Sequence, residues 1–221
     1  MTARPALLAL LGALALAGCR TSAPSHDGDA RALRAGAVRP LSLVRDFGPT
    51  DASSPYYAVR RQGDGLVVSN TSLGSGVTPI VCTAAMPPRV AWTVRGRIES
   101  EGLDGGWGIE FGVQGAEAYR ALIYASGRFC LDRLAGDYPE FLHCVTQLPA
   151  VRGGEAENEL GLRLDGPRIR VFVNGRLAVD LEDERLRPGA IGVAVAGAGA
   201  RVRFSDLELR DPGSEASSPP R

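Results

Sequence analysis

The dipeptide Asn174-Gly175, set between two runs of alternating apolar and polar residues, constrains this chain more than any other feature. A two-residue turn that matches the twist of its strands needs positive φ at both positions, and Asn followed by Gly meets that need at the least steric cost. Ile169–Val173 and Leu177–Leu181 are therefore expected to lie side by side and antiparallel. Asn158–Asp165 alternates in the same way and joins Ile169–Val173 through Gly166-Pro167. After the turn at Arg187-Pro188-Gly189, Ile191–Val195 and Val202–Leu209 continue the pattern. No helical period interrupts this stretch, so it predicts consecutive antiparallel strands.

The rest of the chain extends the same architecture. With 221 residues and 44% hydrophobic composition, one domain with a real core and tails is expected. Leu41–Phe47, Tyr57–Arg60, Gly63–Ser69 and Ala91–Glu99 read as short strands separated by turn residues. Gly106–Val113, Tyr119–Tyr124, Arg128–Leu134 and 141–145 follow. Short strands at this spacing predict an all-β fold, a two-sheet antiparallel β-sandwich, over residues 41–210. Formal charge is zero, from 25 basic and 25 acidic side chains, which argues against nucleic acid as a partner. Every basic residue is Arg and none is Lys, a pattern that suits bidentate anion recognition and also follows from simple compositional bias.

The two ends read differently. Arg4 followed by the apolar run from Ala6 to Ala17 has the grammar of a signal peptide and is too short to span a bilayer. The run ends in Leu16-Ala17-Gly18-Cys19, which resembles a bacterial lipobox. That resemblance implies a signal peptide over residues 1–18, lipidation of Cys19 and a mature chain held on the cell envelope by acyl groups, the membrane being a partner through that anchor alone. Arg20 after the lipidated residue resembles the sorting pattern of outer-membrane lipoproteins. Residues 19–40 read as a flexible tether, with His26 solvated, and 211–221 as a disordered tail.

Turn chemistry sets register in the central meander. Taken as a two-residue turn, Ser126-Gly127 pairs Tyr124 with Phe129, Leu122 with Leu131 and Arg120 with Arg133. Trp107, Ile109, Phe111, Val113, Tyr119, Ala121, Ile123, Cys130, Leu134, Leu142 and Cys144 are then expected on the core side. Gly108, Glu110, Gly112, Arg120, Leu122, Tyr124, Phe129, Leu131, Arg133 and His143 are expected opposite. Asp132 does not fit this division, and marks either a bulge or a buried carboxylate held by donors. In the same register Cys130 faces Cys144, so the two form either a hairpin disulfide or a pair of thiols packed as small hydrophobes, with Cys82 left free and buried. No spacing of Cys, His and acidic residues matches a zinc site, and neither a metal nor a cofactor is implied.

From Trp107 to Leu209 the chain carries Ser126-Gly127-Arg128-Phe129, Asp165-Gly166, Asn174-Gly175, Gly189-x-Ile191-Gly192 and Val202-x-Phe204-x-Asp206-Leu207. This pattern resembles the bacterial concanavalin A-like (laminin G-like) jelly rolls, in the branch that includes the 3-keto-disaccharide hydrolase-like domains. The resemblance implies two stacked antiparallel sheets, with sugars bound on the concave side or at its rim. Its motifs are structural, so they speak for fold more than for activity.

Chemistry concentrates on the polar face. Glu110, Arg120, Tyr124, Arg133 and His143 are the candidate carbohydrate-binding residues, with Arg and Glu bonding hydroxyls and Tyr124 stacking on a sugar ring. The same pattern also describes an ordinary solvated sheet face. A glycosidase usually needs two carboxylates; Glu110 is one, and Glu99, Glu101 and Asp104 are candidates for the second. Three readings follow: a non-catalytic glycan-binding envelope lipoprotein, a disaccharide hydrolase with a second carboxylate or metal beside Glu110, and an adhesion module with a flat apolar patch.

Overall fold

The computed structural model describes residues 37–40, 53–73, 77–85, 89–100, 102–136 and 138–211. Cys19, His26, Leu41–Phe47, Glu101 and the tail beyond Asp211 lie outside the described residues, as does the side chain of Cys82.

Fourteen strands form two sheets among these residues. In chain order they are β1 (Ala37–Pro40), β2 (Tyr57–Gln62), β3 (Gly65–Asn70), β4 (Val77–Ala85), β5 (Arg89–Ser100), β6 (Leu103–Gln114) and β7 (Glu117–Tyr124). They continue as β8 (Phe129–Ala135), β9 (Tyr138–Val145), β10 (Asn158–Asp165), β11 (Arg168–Val173), β12 (Arg176–Glu182), β13 (Ala190–Ala198) and β14 (Arg201–Asp211). One sheet has the order β12-β11-β10-β5-β14-β3-β2, with β1 on β14; the other has the order β4-β13-β6-β7-β8-β9. All pairings are antiparallel, so the chain is an all-β sandwich of the jelly-roll kind. Strand pairing begins at Ala37, inside the stretch whose composition reads as tether.

The turns follow from their residues. Asn174 and Gly175 have φ of 51° and 76°, the left-handed pair that the β11–β12 hairpin needs. Alternation then fixes which side chains meet between the sheets. Trp92, Val94, Leu160, Leu162, Val171, Val173, Val202 and Phe204 of the larger sheet face Trp107, Ile109, Phe111, Ile123, Phe129, Leu131, Val193 and Val195 of the smaller. Trp107 meets Phe204 edge-on, with centroids 5.5 Å apart and planes at 85°. Its indole also lies where a Cβ on Gly96 would stand, 2.7 Å away, so that glycine is what lets the two sheets close over the ring.

The β7–β8 register differs from expectation by one residue. Arg120 pairs with Asp132, Leu122 with Cys130 and Ile123 with Phe129. The turn is a three-residue loop, Ala125-Ser126-Gly127: Tyr124 N donates to Arg128 O, Gly127 N donates to Tyr124 O, and Gly127 has φ of 89°. Adding one residue to the loop reverses every side chain of β8. Phe129 and Leu131 therefore belong to the core, while Cys130, Asp132 and Leu134 turn to the outer face. Arg120 does not face Arg133, and no like-charge pair exists there.

Candidate functional site

Three rows of side chains cross the outer face of the six-stranded sheet, and register alone defines them. The first runs Gly192, Glu110, Arg120, Asp132, Phe141. The second runs Ala194, Gly108, Leu122, Cys130, Cys144. The third runs Val77, Ala196, Gly106, Tyr124. From Gly106 to Gly112 of β6 and along β13 the outward positions are Gly or Ala except Glu110, whereas the inward ones are Trp107, Ile109, Phe111, Ile191, Val193 and Val195. Small residues down the middle and larger ones on the β7–β9 side make a trough. A groove of about 480 Å³ runs there, bounded by Arg120, Leu122, Tyr124, Arg128, Asp132, Phe141 and Ala196.

Gly108 is required by the sheet itself, because a Cβ there would sit 1.9 Å from the backbone oxygen of Ala121. A Cβ on Gly106 would meet the Tyr124 ring at 2.7 Å, so that ring lies down over the strand. The Arg128 guanidinium covers Tyr124, 3.8 Å from the ring centroid, and reaches Asp104 at 2.6 Å. Tyr124 is consequently a wall of the groove, packed on both faces, and not an open platform. The open aromatic is Phe141, 64% exposed at the end of the first row.

Charge in the first row is buried. Arg120 Nε donates to Asp132 Oδ1 at 2.8 Å, both side chains being almost out of solvent. Burial pushes the Glu110 carboxyl up to about 7; Arg120 opposes the rise and Asp132 adds to it. Asp132 is also raised, by burial against the opposing pull of Arg120. Glu110 is 4% exposed, and its Oε2 has no hydrogen-bond partner among the described residues. A carboxyl in that state, near half-protonated at neutral pH, can donate or accept one hydrogen bond.

The sequence-derived candidates divide. Glu110, Arg120 and Tyr124 share the groove face. Arg133 and His143 do not, because the one-residue shift puts them on the opposite side. Arg133 pairs in register with Tyr119 and reaches Glu117 at 3.1 Å. His143 pairs with Leu131, its ring 6.2 Å from the core ring of Phe129. Asp132, Phe141 and Arg128, absent from the expected set, take their places. Of the candidate second carboxylates, Glu99 belongs to the larger sheet, where it pairs with Arg201, and Asp104 is held by Arg128 at the groove rim. Asp132 is the carboxylate that shares a row with Glu110. Cys130 and Cys144 form a disulfide, with 4.2 Å between their Cα atoms. Among the described residues, no three His, Cys, Asp or Glu side chains converge as metal ligands.

The fold and the groove define a class, the two-sheet jelly-roll sandwiches. The solved structures it resembles include carbohydrate-binding module CBM66 from Bacillus subtilis, with TM-score 0.61 and 14% identity over 73% of this chain and 96% of that one. A Bacillus subtilis protein of unknown function with a galectin-like fold gives TM-score 0.57 and 11% identity over 79% and 98%. A GH43 protein from Bacillus licheniformis gives 0.54 and 12% over 73% of this chain and 38% of that one. At these identities the likeness is one of fold. No protein-family model and no curated protein matches the sequence.

Proposed function

We propose that this domain binds carbohydrate, without catalysis, in the groove on the outer face of the six-stranded sheet, and that lipidated Cys19 tethers it to the bacterial envelope, at the outer membrane. The observation that carries the binding reading is the trough itself. It has Ala196 and Gly197 along one side, an exposed Phe141 at one end and the partly exposed Arg128–Asp104 pair fixed at its rim. Sugar rings need an apolar face to stack on and charge-assisted partners for their hydroxyls, and such a trough offers both. A carbohydrate-binding module among the structural neighbours supports the reading, as does a GH43 protein. The tether rests on the lipobox resemblance at Leu16–Cys19.

Binding is tested on a glycan array followed by calorimetry with the best ligand. Phe141→Ala is expected to weaken it roughly tenfold, the worth of one stacked ring, with the melting temperature unchanged. Equal affinity in the variant would remove the groove from the site. The tether is tested by acyl labelling in a bacterial host, which Cys19→Ala is expected to abolish.

Hydrolysis is the second reading, and the shared row of Glu110 and Asp132 is what favours it. Their exposures of 4% and 2% leave little surface against which a scissile bond can lie, so binding is preferred. Release of reducing sugar from the array ligand, lost in Glu110→Gln, would reverse that preference.

A further inference from the structure

The outer face of the larger sheet carries a different chemistry. A row across β2, β3, β14 and β5 reads Arg60, Val67, Arg203, Arg97. Arg61 and Arg201 stand beside it, so five guanidinium groups gather in a chain of zero net charge. Among the described residues the acidic groups nearby are Glu99, which pairs with Arg201 at 3.1 Å and Arg97 at 3.9 Å, and Asp64 in the β2–β3 turn. Arg60 and Arg203 make no ion pair among the described residues, and buried Val67 lies between them in the row. Strands are spaced about 4.8 Å apart, which puts the backbones of Arg60 and Arg203 roughly 10 Å apart.

A groove of about 510 Å³ runs along this face, lined by Arg60, Arg61 and Arg201, by Gln62, Ser69 and Thr71, and by Glu99, whose charge is met by Arg201 and Arg97; Arg203 stands next to it in the row. Guanidinium groups bind carboxylates in a bidentate fork, and hydroxyl and amide side chains bind sugar hydroxyls. We propose that this face is a second binding surface, separate from the groove on the six-stranded sheet, and that its ligand is an acidic polysaccharide. Carboxylates on the chain fall on Arg60 within the groove and on Arg203 beside it in the same row, while ring hydroxyls reach Ser69, Thr71 and Gln62. A recessed channel with neutral hydrogen-bonding groups between its cations suits a threaded sugar chain better than a flat lipid surface.

The test is titration of the full chain with oligogalacturonate at low and high salt, against a neutral glucan of equal length. Oligogalacturonate is expected to bind, the glucan not, and affinity to fall as salt screens the exposed arginines. Arg60→Gln with Arg203→Gln keeps most of each stem and is expected to weaken binding by roughly tenfold or more, since each charge-assisted bond is worth about 1.5–3 kcal/mol. Phe141→Ala is expected to leave this affinity unchanged. The proposal is overturned by binding equal for the glucan, by loss in the Phe141 variant and not in the double Arg variant, or by capture on phosphatidylglycerol vesicles with no oligogalacturonate binding. An unchanged melting temperature in the double variant shows that any loss comes from the surface and not from unfolding.

Discussion

The two outer faces of the sandwich handle charge in opposite ways. On the six-stranded sheet, Arg120, Asp132 and Glu110 are buried in one row; the pair is joined at 2.8 Å and burial raises the carboxyl of the third to about 7. On the eight-stranded sheet, Arg168–Asp180, Arg95–Glu159 and Arg201–Glu99 stay partly in water. Identical residue types thus become structural and titratable in the first row, and screened and exchangeable in these three pairs, while Arg163 of the larger sheet is buried as well. Depth in the sheet decides this: Glu110 and Asp132 are almost wholly buried, whereas the Arg168, Arg95 and Arg201 side chains are about half exposed.

The largest expected effect breaks the buried side of that contrast. Arg120→Ala strands Asp132 in a site without its cation and is expected to cost about 3–5 kcal/mol in urea unfolding. Replacing both partners, Arg120→Met with Asp132→Leu, is expected to recover most of the loss, because no charge is then left buried. A single variant as stable as the wild type would show that the row is wetter than its geometry implies.

An intermediate effect comes from protons. Folding raises the Glu110 carboxyl from 4.5 to about 7, so the folded state holds that proton more tightly than the unfolded chain. Its contribution is therefore complete below the ordinary Glu value and declines as pH rises towards 7, by on the order of 1 kcal/mol per pH unit. Glu110→Gln is expected to flatten this decline in thermal unfolding followed across that range. Asp183 runs the other way. Its hydrogen bond to Arg185 lowers it to about 2, so its contribution is present above the ordinary Asp value and is lost as pH falls towards 2. These two groups together place a stability maximum between their ordinary values, 3.8 and 4.5.

The smallest effect sharpens the exposed side. Arg168 holds Asp180 through two bonds of 2.8 and 2.7 Å, yet Arg168→Ala is expected to cost less than about 1 kcal/mol, vanishing in high salt. A loss that persists in high salt would mean that geometry outweighs exposure there.

The fold was legible because alternation and turn residues agree from Asn158 onward, and Asn174-Gly175 admits one geometry. The groove was half legible. Glu110, Arg120 and Tyr124 were placed on the right face, since β6 and β7 alternate without interruption. Arg133 and His143 were misplaced, because Ser-Gly serves equally as a two-residue turn or as the end of a three-residue loop whose glycine is left-handed. Asp132 was the available warning: a carboxylate in a core position signalled that the register was displaced by one. Phe141 had no comparable signal, because the β-bulge between Leu131 and Asp132 decides which way it faces. The alternation of large and small residues, Trp107-Gly108-Ile109 and Val193-Ala194-Val195, did carry the trough.

The bond between Cys130 and Cys144 gains a consequence from its place in the second row. Strand β9 is the hem of its sheet and carries Phe141, and hems fray and recruit foreign strands. A covalent stitch closing so short a loop is worth about 3 kcal/mol against the unfolded chain, and it locks the margin that bears the exposed ring to the strand beside it. The margin around Phe141 is thereby cast in advance, and little ordering remains to be done at that edge.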